Sequence, residues 1–136
     1  MDGYDSWTFC QIQYNYMDTE YQAGTKGLEY AADKGLALVI MEPLRGGQLT
    51  QRVPPSIRKI WNKADEVRTP AEWALQWIWN HPQVSVVLSG MSDMRQLSEN
   101  ILSADRARAG TLSEADLALL NEVREEYRRL APVPCT

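Results

Sequence analysis

The sequence predicts an α/β fold organised around a parallel sheet, and three observations carry that expectation. Strand-like runs alternate with helix-like patterns along the chain, the order that parallel strands with helical crossovers require. The run LALVIM, Leu36 to Met41, has no polar residue at all, as a strand covered on both faces needs. The segment Thr69-Pro70-Ala71-Glu72 is a capping box with proline at the first helical position, an unambiguous helix start.

Each element follows in order. Phe9 to Tyr16, FCQIQYNY, alternates apolar and polar residues rich in β-formers and reads as the first strand. Asp18 and Thr19 offer cap chemistry for a helix over Ala23 to Asp33, with Leu28, Ala31 and Ala32 on one face. Gly35 supplies the left-handed stop before the second strand. A loop rich in glycine and proline, EPLRGGQLTQRVPP, then leads to a short helix over Ser56 to Ala64. The capped helix runs from Pro70 to about Asn80 and ends at His81-Pro82, because a residue before proline is pushed out of the helical region. Val84 to Leu88 is the third strand. Ser92 is the expected cap of a helix over Asp93 to Ser103 whose start has no acidic partner for its exposed amides, with Met94, Leu97 and Ile101 as its inner stripe. A last helix starts at Ser113, with Asp116 at the box position and Leu117, Leu120, Val123 and Tyr127 facing inward.

With 136 residues the chain is expected to be a single domain over 1–136. A hydrophobic share of 44% and a charged share of 24% belong to a globular protein. The net charge of −4 speaks against nucleic acid and against an anionic membrane surface as partners. No apolar run reaches the length of a membrane span, and MDGYDSW has neither the basic nor the apolar part of a signal peptide. Two cysteines do not make a disulfide framework, so a reduced, cytoplasmic protein is expected. A three-stranded parallel sheet also leaves bare edges, which makes self-association through them an expectation.

The segments CQIQYN, VIMEPLRGG and VLSGMSDMRQLSEN, each ending or following a strand, together resemble the C-terminal half of aldo-keto reductases. The resemblance runs from about Trp7 to Leu130, and its most specific part is Gly90 to Asn100. The nearest subgroup appends a ferredoxin-like cluster segment after a Val-Pro-Cys-Thr like Val133 to Thr136, so an iron–sulfur cluster would belong only to a longer parent chain. The fold this implies is a partial (β/α)8 TIM barrel, about strands 6–8 with their helices and a C-terminal helix. Barrel sites form at the C-terminal strand ends.

The resemblance implies a nicotinamide nucleotide as partner, NADP(H) rather than NAD(H). Gln11 matches the glutamine that holds the carboxamide, and Met41 stands where many relatives place an aromatic ring against the nicotinamide. Pro43, Leu44, Arg45, Gly46 and Gly47 would wrap the pyrophosphate. Ser89, Gly90, Met91 and Ser92 would take the phosphate on the adenosine ribose, at a helix start whose amides and dipole favour an anion. Many relatives carry lysine at the position of Gly90 and arginine at that of Gln96; Arg95 or the Ser92 hydroxyl would substitute. Glu99 and Asn100 would meet the adenine. The full enzyme would reduce a carbonyl substrate with Tyr, Lys, His and Asp residues from earlier strands, so this chain alone is expected to be inactive. A non-catalytic nucleotide-sensing or interaction module, and an unrelated small α/β binding domain, are the competing readings.

Other conspicuous residues have plainer roles. His81 at a helix end suits an imidazolium complementing the dipole. Tyr14 and Tyr16 read as packing residues with a hydrogen-bonded tip, and Cys10 as a small buried apolar group. Cys135 reads as an exposed terminal thiol. Trp73 and Trp77, four apart, give their helix a wide apolar surface. Glu122 to Glu126 reads as a solvated face with i,i+4 pairs.

Overall fold

The computed structural model describes residues 6–130; the Cys135 reading and the cluster-segment likeness at Val133 to Thr136 lie outside them. Three strands, β1 (Phe9–Gln13), β2 (Ala37–Met41) and β3 (Val84–Val87), form one parallel sheet in the order β1-β2-β3. Five helices connect and follow them: α1 (Gly24–Asp33), α2 (Pro55–Trp61), α3 (Pro70–Trp79), α4 (Met94–Arg106) and α5 (Glu114–Leu130). Register pairs Gln11 with Val39 and Ile12 with Ile40, while an irregularity at Leu38–Val39 sets Val86 opposite Val39. All three strands therefore point their C-terminal ends, and the loops that follow, to one side.

Side chains alternate across the sheet. Leu38 and Ile40 join Tyr14, Leu28, Ala31 and Ile78 in a core under α1 and α3. On the opposite face Phe9 is 56% exposed and Val86 47%, so that face is uncovered by the described residues. A second core joins Ile57, Ile60 and Trp61 of α2, Trp73 of α3, and Leu120 and Val123 of α5. At its centre the Trp61 and Trp73 rings stack with centroids 4.8 Å apart. Trp77 packs against both cores, which accounts for the wide apolar surface of α3.

The α3 start is as the sequence spells it: Glu72 N–H donates to Thr69 Oγ1 at 3.1 Å. At α5, Ser113 and Asp116 cap one another reciprocally, and Arg68 Nη1 donates to Asp116 Oδ1 at 3.0 Å. Burial pushes the Asp116 carboxyl up, but the bonds from Ser113 and Arg68 outweigh it and hold the group below its ordinary range. Gly35, with φ of +72°, closes α1 as expected. The charged face of α5 pairs at i,i+3 (Glu125–Arg128, Glu126–Arg129) rather than at the expected i,i+4.

Four further expectations about the fold need correction. β1 stops at Gln13 instead of reaching Tyr16, because the Asn15 side chain draws the Met17 and Asp18 amides into a turn. Asp18 and Thr19 do not cap α1 with their side chains: Asp18 pairs with Arg45, and the Thr19 carbonyl accepts from Thr25 N–H at 2.8 Å. Gly24 makes that entry feasible, since a Cβ there would sit 2.5 Å from the Thr19 oxygen. The stripe of α4 is not an inner one, with Met94 75% and Ile101 52% exposed. That helix instead meets α3 through buried Ser103, whose carbonyl accepts from Gln76 Nε2 at 2.7 Å, and this contact turns the stripe outward.

His81 is the fourth. Burial holds its pKa below the ordinary imidazole value, against the raising effect of bonds to the Trp77 and Ile78 carbonyls. It is a neutral ring, Nδ1 2.9 Å from the Trp77 oxygen and edge-on to the Trp77 indole, not a dipole-complementing cation. Because the folded pKa is depressed, the unfolded chain binds more protons below about pH 6.5, and stability falls with pH. Urea midpoints should therefore decline from pH 7 to pH 5 in the native chain and decline less in His81→Gln. Parallel curves for the two proteins would contradict this assignment.

Candidate functional site

The loops at the C-terminal strand ends enclose a groove of about 810 Å³, within the range of small-molecule sites. Its walls come from three places: the end of β2 with the loop after it, the turn after β3 with the first turns of α4, and the start of α3.

The β2 loop is folded tightly. Glu42, Arg45, Gly46 and Gly47 all have positive φ, at 56°, 51°, 61° and 84°. For Glu42 and Arg45 this conformation costs on the order of 1 kcal/mol each and persists only where neighbours impose it. The neighbours are visible. Fully buried Asn15 donates from Nδ2 to the Glu42 carbonyl at 3.1 Å and to Asp18 Oδ2 at 3.1 Å. Its Oδ1 accepts from the amides of Met17 and Asp18, each at 3.0 Å. Asp18 in turn pairs with Arg45 Nε at 3.3 Å. One amide side chain thus ties the loop after β1 to the loop after β2. Within the loop, Gly46 N–H donates to Glu42 Oε2 at 2.5 Å, and Gly47 N–H to the Leu44 carbonyl at 3.0 Å.

The β3 side is set by the sheet. Leu88 N–H donates to the Ile40 carbonyl at 2.8 Å, extending the ladder into the turn. Asn100 Nδ2, one helix length away in sequence, donates to Ser89 Oγ at 3.1 Å and fixes α4 against that turn. The cap of α4 is Asp93, not Ser92: its carboxylate accepts from Gln96 N–H at 2.8 Å. The helix start thus has the acidic partner that was not expected there. Asp93 has the extended backbone an N-cap needs, which leaves Ser92 one residue outside the helix. Gln96 Oε1 reaches back to the Ser92 amide at 2.8 Å, completing a box-like pair.

Most residues singled out by sequence meet here. Met41, Pro43, Leu44, Gly46 and Gly47 line one wall, and Ser89, Gly90, Met91, Gln96, Glu99 and Asn100 the other. Gln11, Arg45 and Ser92 are not on the lining. Gln11 is on the open sheet face, with Nε2 3.3 Å from Met41 Sδ, and Arg45 and Ser92 are held in the contacts just described. Sequence reasoning missed Glu42, Leu88, Thr50, Gln51, Thr69, Pro70 and Ala71; the capping box at Thr69 was a visible signal for the last three. It also missed Asn15, whose signal, a lone amide between two tyrosines, is weak. The charged lining residues described are Glu42, Glu99 and Arg95, and Arg95 Nη1 pairs with Glu99 Oε1 at 3.2 Å.

Tyr14 is the packing residue with a hydrogen-bonded tip that was expected, whereas the buried Tyr16 hydroxyl has no hydrogen-bond partner among the described residues and Cys10 is only partly buried. Tyr14 and Tyr16 are buried, Tyr14 sharing a 3.0 Å hydrogen bond with Thr25 Oγ1, and burial raises the pKa of each phenol. Cys10 is half-buried, and burial likewise pushes its thiol up. No group of three or more metal-ligating side chains occurs among the described residues, and none of their helices is long and apolar enough to cross a membrane.

The chain belongs to the aldo/keto reductase family, whose model matches residues 1–125. No match is found among curated proteins. Among solved structures, an aldo-keto reductase from Bacillus halodurans in its holo form matches with a TM-score of 0.64 and 19% identity, over 85% of this chain and 42% of its own. One from Klebsiella pneumoniae in complex with NADPH matches with a TM-score of 0.59 and 24% identity, over 95% of this chain and 41% of its own. The three strands and their helices are thus a portion of a (β/α)8 barrel, and the chain spans well under half the length of these structures.

Because Asn15 holds the strained loop, Asn15→Ala should lower stability by about 2 kcal/mol, the cost of leaving buried partners unpaired. It should also speed proteolysis within residues 42–51. Unfolding by urea and timed digestion followed by mass spectrometry check both, and unchanged cleavage in that loop would contradict the clamp.

Proposed function

We propose that the groove is the nicotinamide-nucleotide surface of a carbonyl oxidoreductase. The observation that carries this reading is the Gly46 amide, which belongs to the groove lining and is bonded to an anionic oxygen of Glu42, another lining residue. That carboxylate stands in for a phosphate oxygen at a loop of positive-φ glycines, the construction that lets backbone amides approach an anion. The residues present therefore fit a dinucleotide. Pro43, Leu44, Gly46 and Gly47 would hold its pyrophosphate, and Ser89, Gly90, Met91 and Gln96 the adenosine ribose. Glu99 and Asn100 would bound the adenine, and Met41 with Gln11 beside it the nicotinamide.

When bound, the nicotinamide supplies the hydride. The chain's own residues position it. Asn15 fixes the β2 loop, Asn100 fixes the β3 turn, and Glu42 must release the Gly46 amide as a phosphate arrives. The described lining holds Glu42, Arg95 and Glu99 but no Tyr, His or Lys to give a carbonyl oxygen its proton. In this reading the chain alone turns over no carbonyl compound, and the proton donor comes from outside this groove. The uncovered sheet face with Phe9 and Val86 favours a second reading, an interaction module that binds nucleotide without turnover and associates through that face.

Calorimetric titration of the folded chain with NAD+ and NADP+ tests the proposal. Saturable one-to-one binding of at least one, weakened roughly tenfold by Asn100→Ala through loss of the Ser89 contact, is the expected result. A folded chain that binds neither would remove both readings.

A further inference from the structure

We propose that Arg124 of α5 is a positioning residue for the groove: it holds the loop after β1 and, through that loop, the glycine loop after β2. Its purpose rests on the nucleotide reading above, but its geometry does not. No residue of α5 lines the groove, so any influence of that helix has to pass through an intermediary.

The contacts supply one. Arg128 and Arg129 pair with carboxylates of their own helix, Glu125 and Glu126. Arg124 turns the other way, and its Nη2 donates to Thr19 Oγ1, 105 residues away in sequence. Burial acts against its charge and lowers its pKa from the ordinary guanidinium value. A half-buried cation on one neutral hydroxyl gains less than it would on a carboxylate. What the contact does is fix the loop. Thr19 is buried and anchored again through its carbonyl, which accepts from Thr25 N–H at 2.8 Å and Thr25 Oγ1 at 3.1 Å. Its neighbour Asp18 serves the groove side, accepting from Asn15 Nδ2 at 3.1 Å and pairing with Arg45 Nε at 3.3 Å. Two adjacent residues thus hold α5 on one side and the β2 loop on the other. No helix or strand lies between β1 and α1, and Gln22 there has φ of +52°, so side-chain tethers set the place of this loop. Helix α5 does not depend on the tether, because Leu120 and Val123 hold it in the core with α2.

Hydrogen exchange of the full chain, native against Arg124→Met, tests this. The Gly47, Gln48, Thr50 and Gln51 amides are all hydrogen-bonded within the β2 loop and report its opening. Exchange in residues 42–51 should quicken about tenfold, the weight of one hydrogen bond from a charged donor, with the α5 amides unchanged. Thr19→Val removes the acceptor and should have the same effect, and the double variant should add little to either single one. Unaltered exchange in residues 42–51 overturns the proposal. So does faster exchange in α5 itself, the mark of a residue that only docks its helix, and so do effects of the two substitutions that simply add. Repeating the exchange with NAD+ and with NADP+ keeps the two readings apart. Absence of added protection with either nucleotide overturns the nucleotide reading, whereas the difference between native chain and variant decides the role of Arg124.

Discussion

The buried amide of Asn15 is the constraint on which the groove depends. Backbone polar groups buried where the chain leaves a parallel strand need hydrogen-bond partners, and here one side chain supplies them for two strands at once. Its oxygen ends β1 by taking the Met17 and Asp18 amides, and its nitrogen holds the Glu42 carbonyl just past β2. Without that clamp, neither the left-handed Glu42 nor the Arg45 turn has a reason to persist. The Asp18–Arg45 pair extends the same clamp outward, and at 3.3 Å between partly exposed groups it adds direction more than energy.

Glu42 on the Gly46 amide and Asp93 on the Gln96 amide show the same device, an internal carboxylate occupying a backbone donor. The two differ in consequence. Glu42 is a flexible side chain on a loop and can leave the Gly46 amide by rotation. Asp93 is the cap of a helix, so displacing it sacrifices a cap worth about 1 kcal/mol. The Glu42 contact is therefore replaceable and the Asp93 contact fixed.

Much of the fold was legible because its signals are local. The α3 and α5 starts are written in residues three apart, and the β2 strand in a run without polar residues. The membership of most of the groove was legible too, through the likeness of three segments in order. What was not legible depended on contacts distant in sequence. Asp93 and Ser92 are both good caps, and only the backbone shows which of them enters the helix. Asp18 looked like a cap until Arg45, far along the chain, claimed it. Met94 and Ile101 have the spacing of an inner stripe, yet Ser103's contact with Gln76 rotates that stripe outward. For His81, sequence gives the helix end but not the burial against Trp77 that keeps the ring neutral.

The central claim is that the ends of β2 and β3 form one nucleotide-binding surface. Hydrogen exchange of the backbone amides, with and without saturating NAD+, tests it most directly. The account predicts added protection in residues 42–51 and 89–100 together, with the α5 amides unchanged. Protection confined to one of the two segments, or appearing on the open sheet face instead, would contradict it.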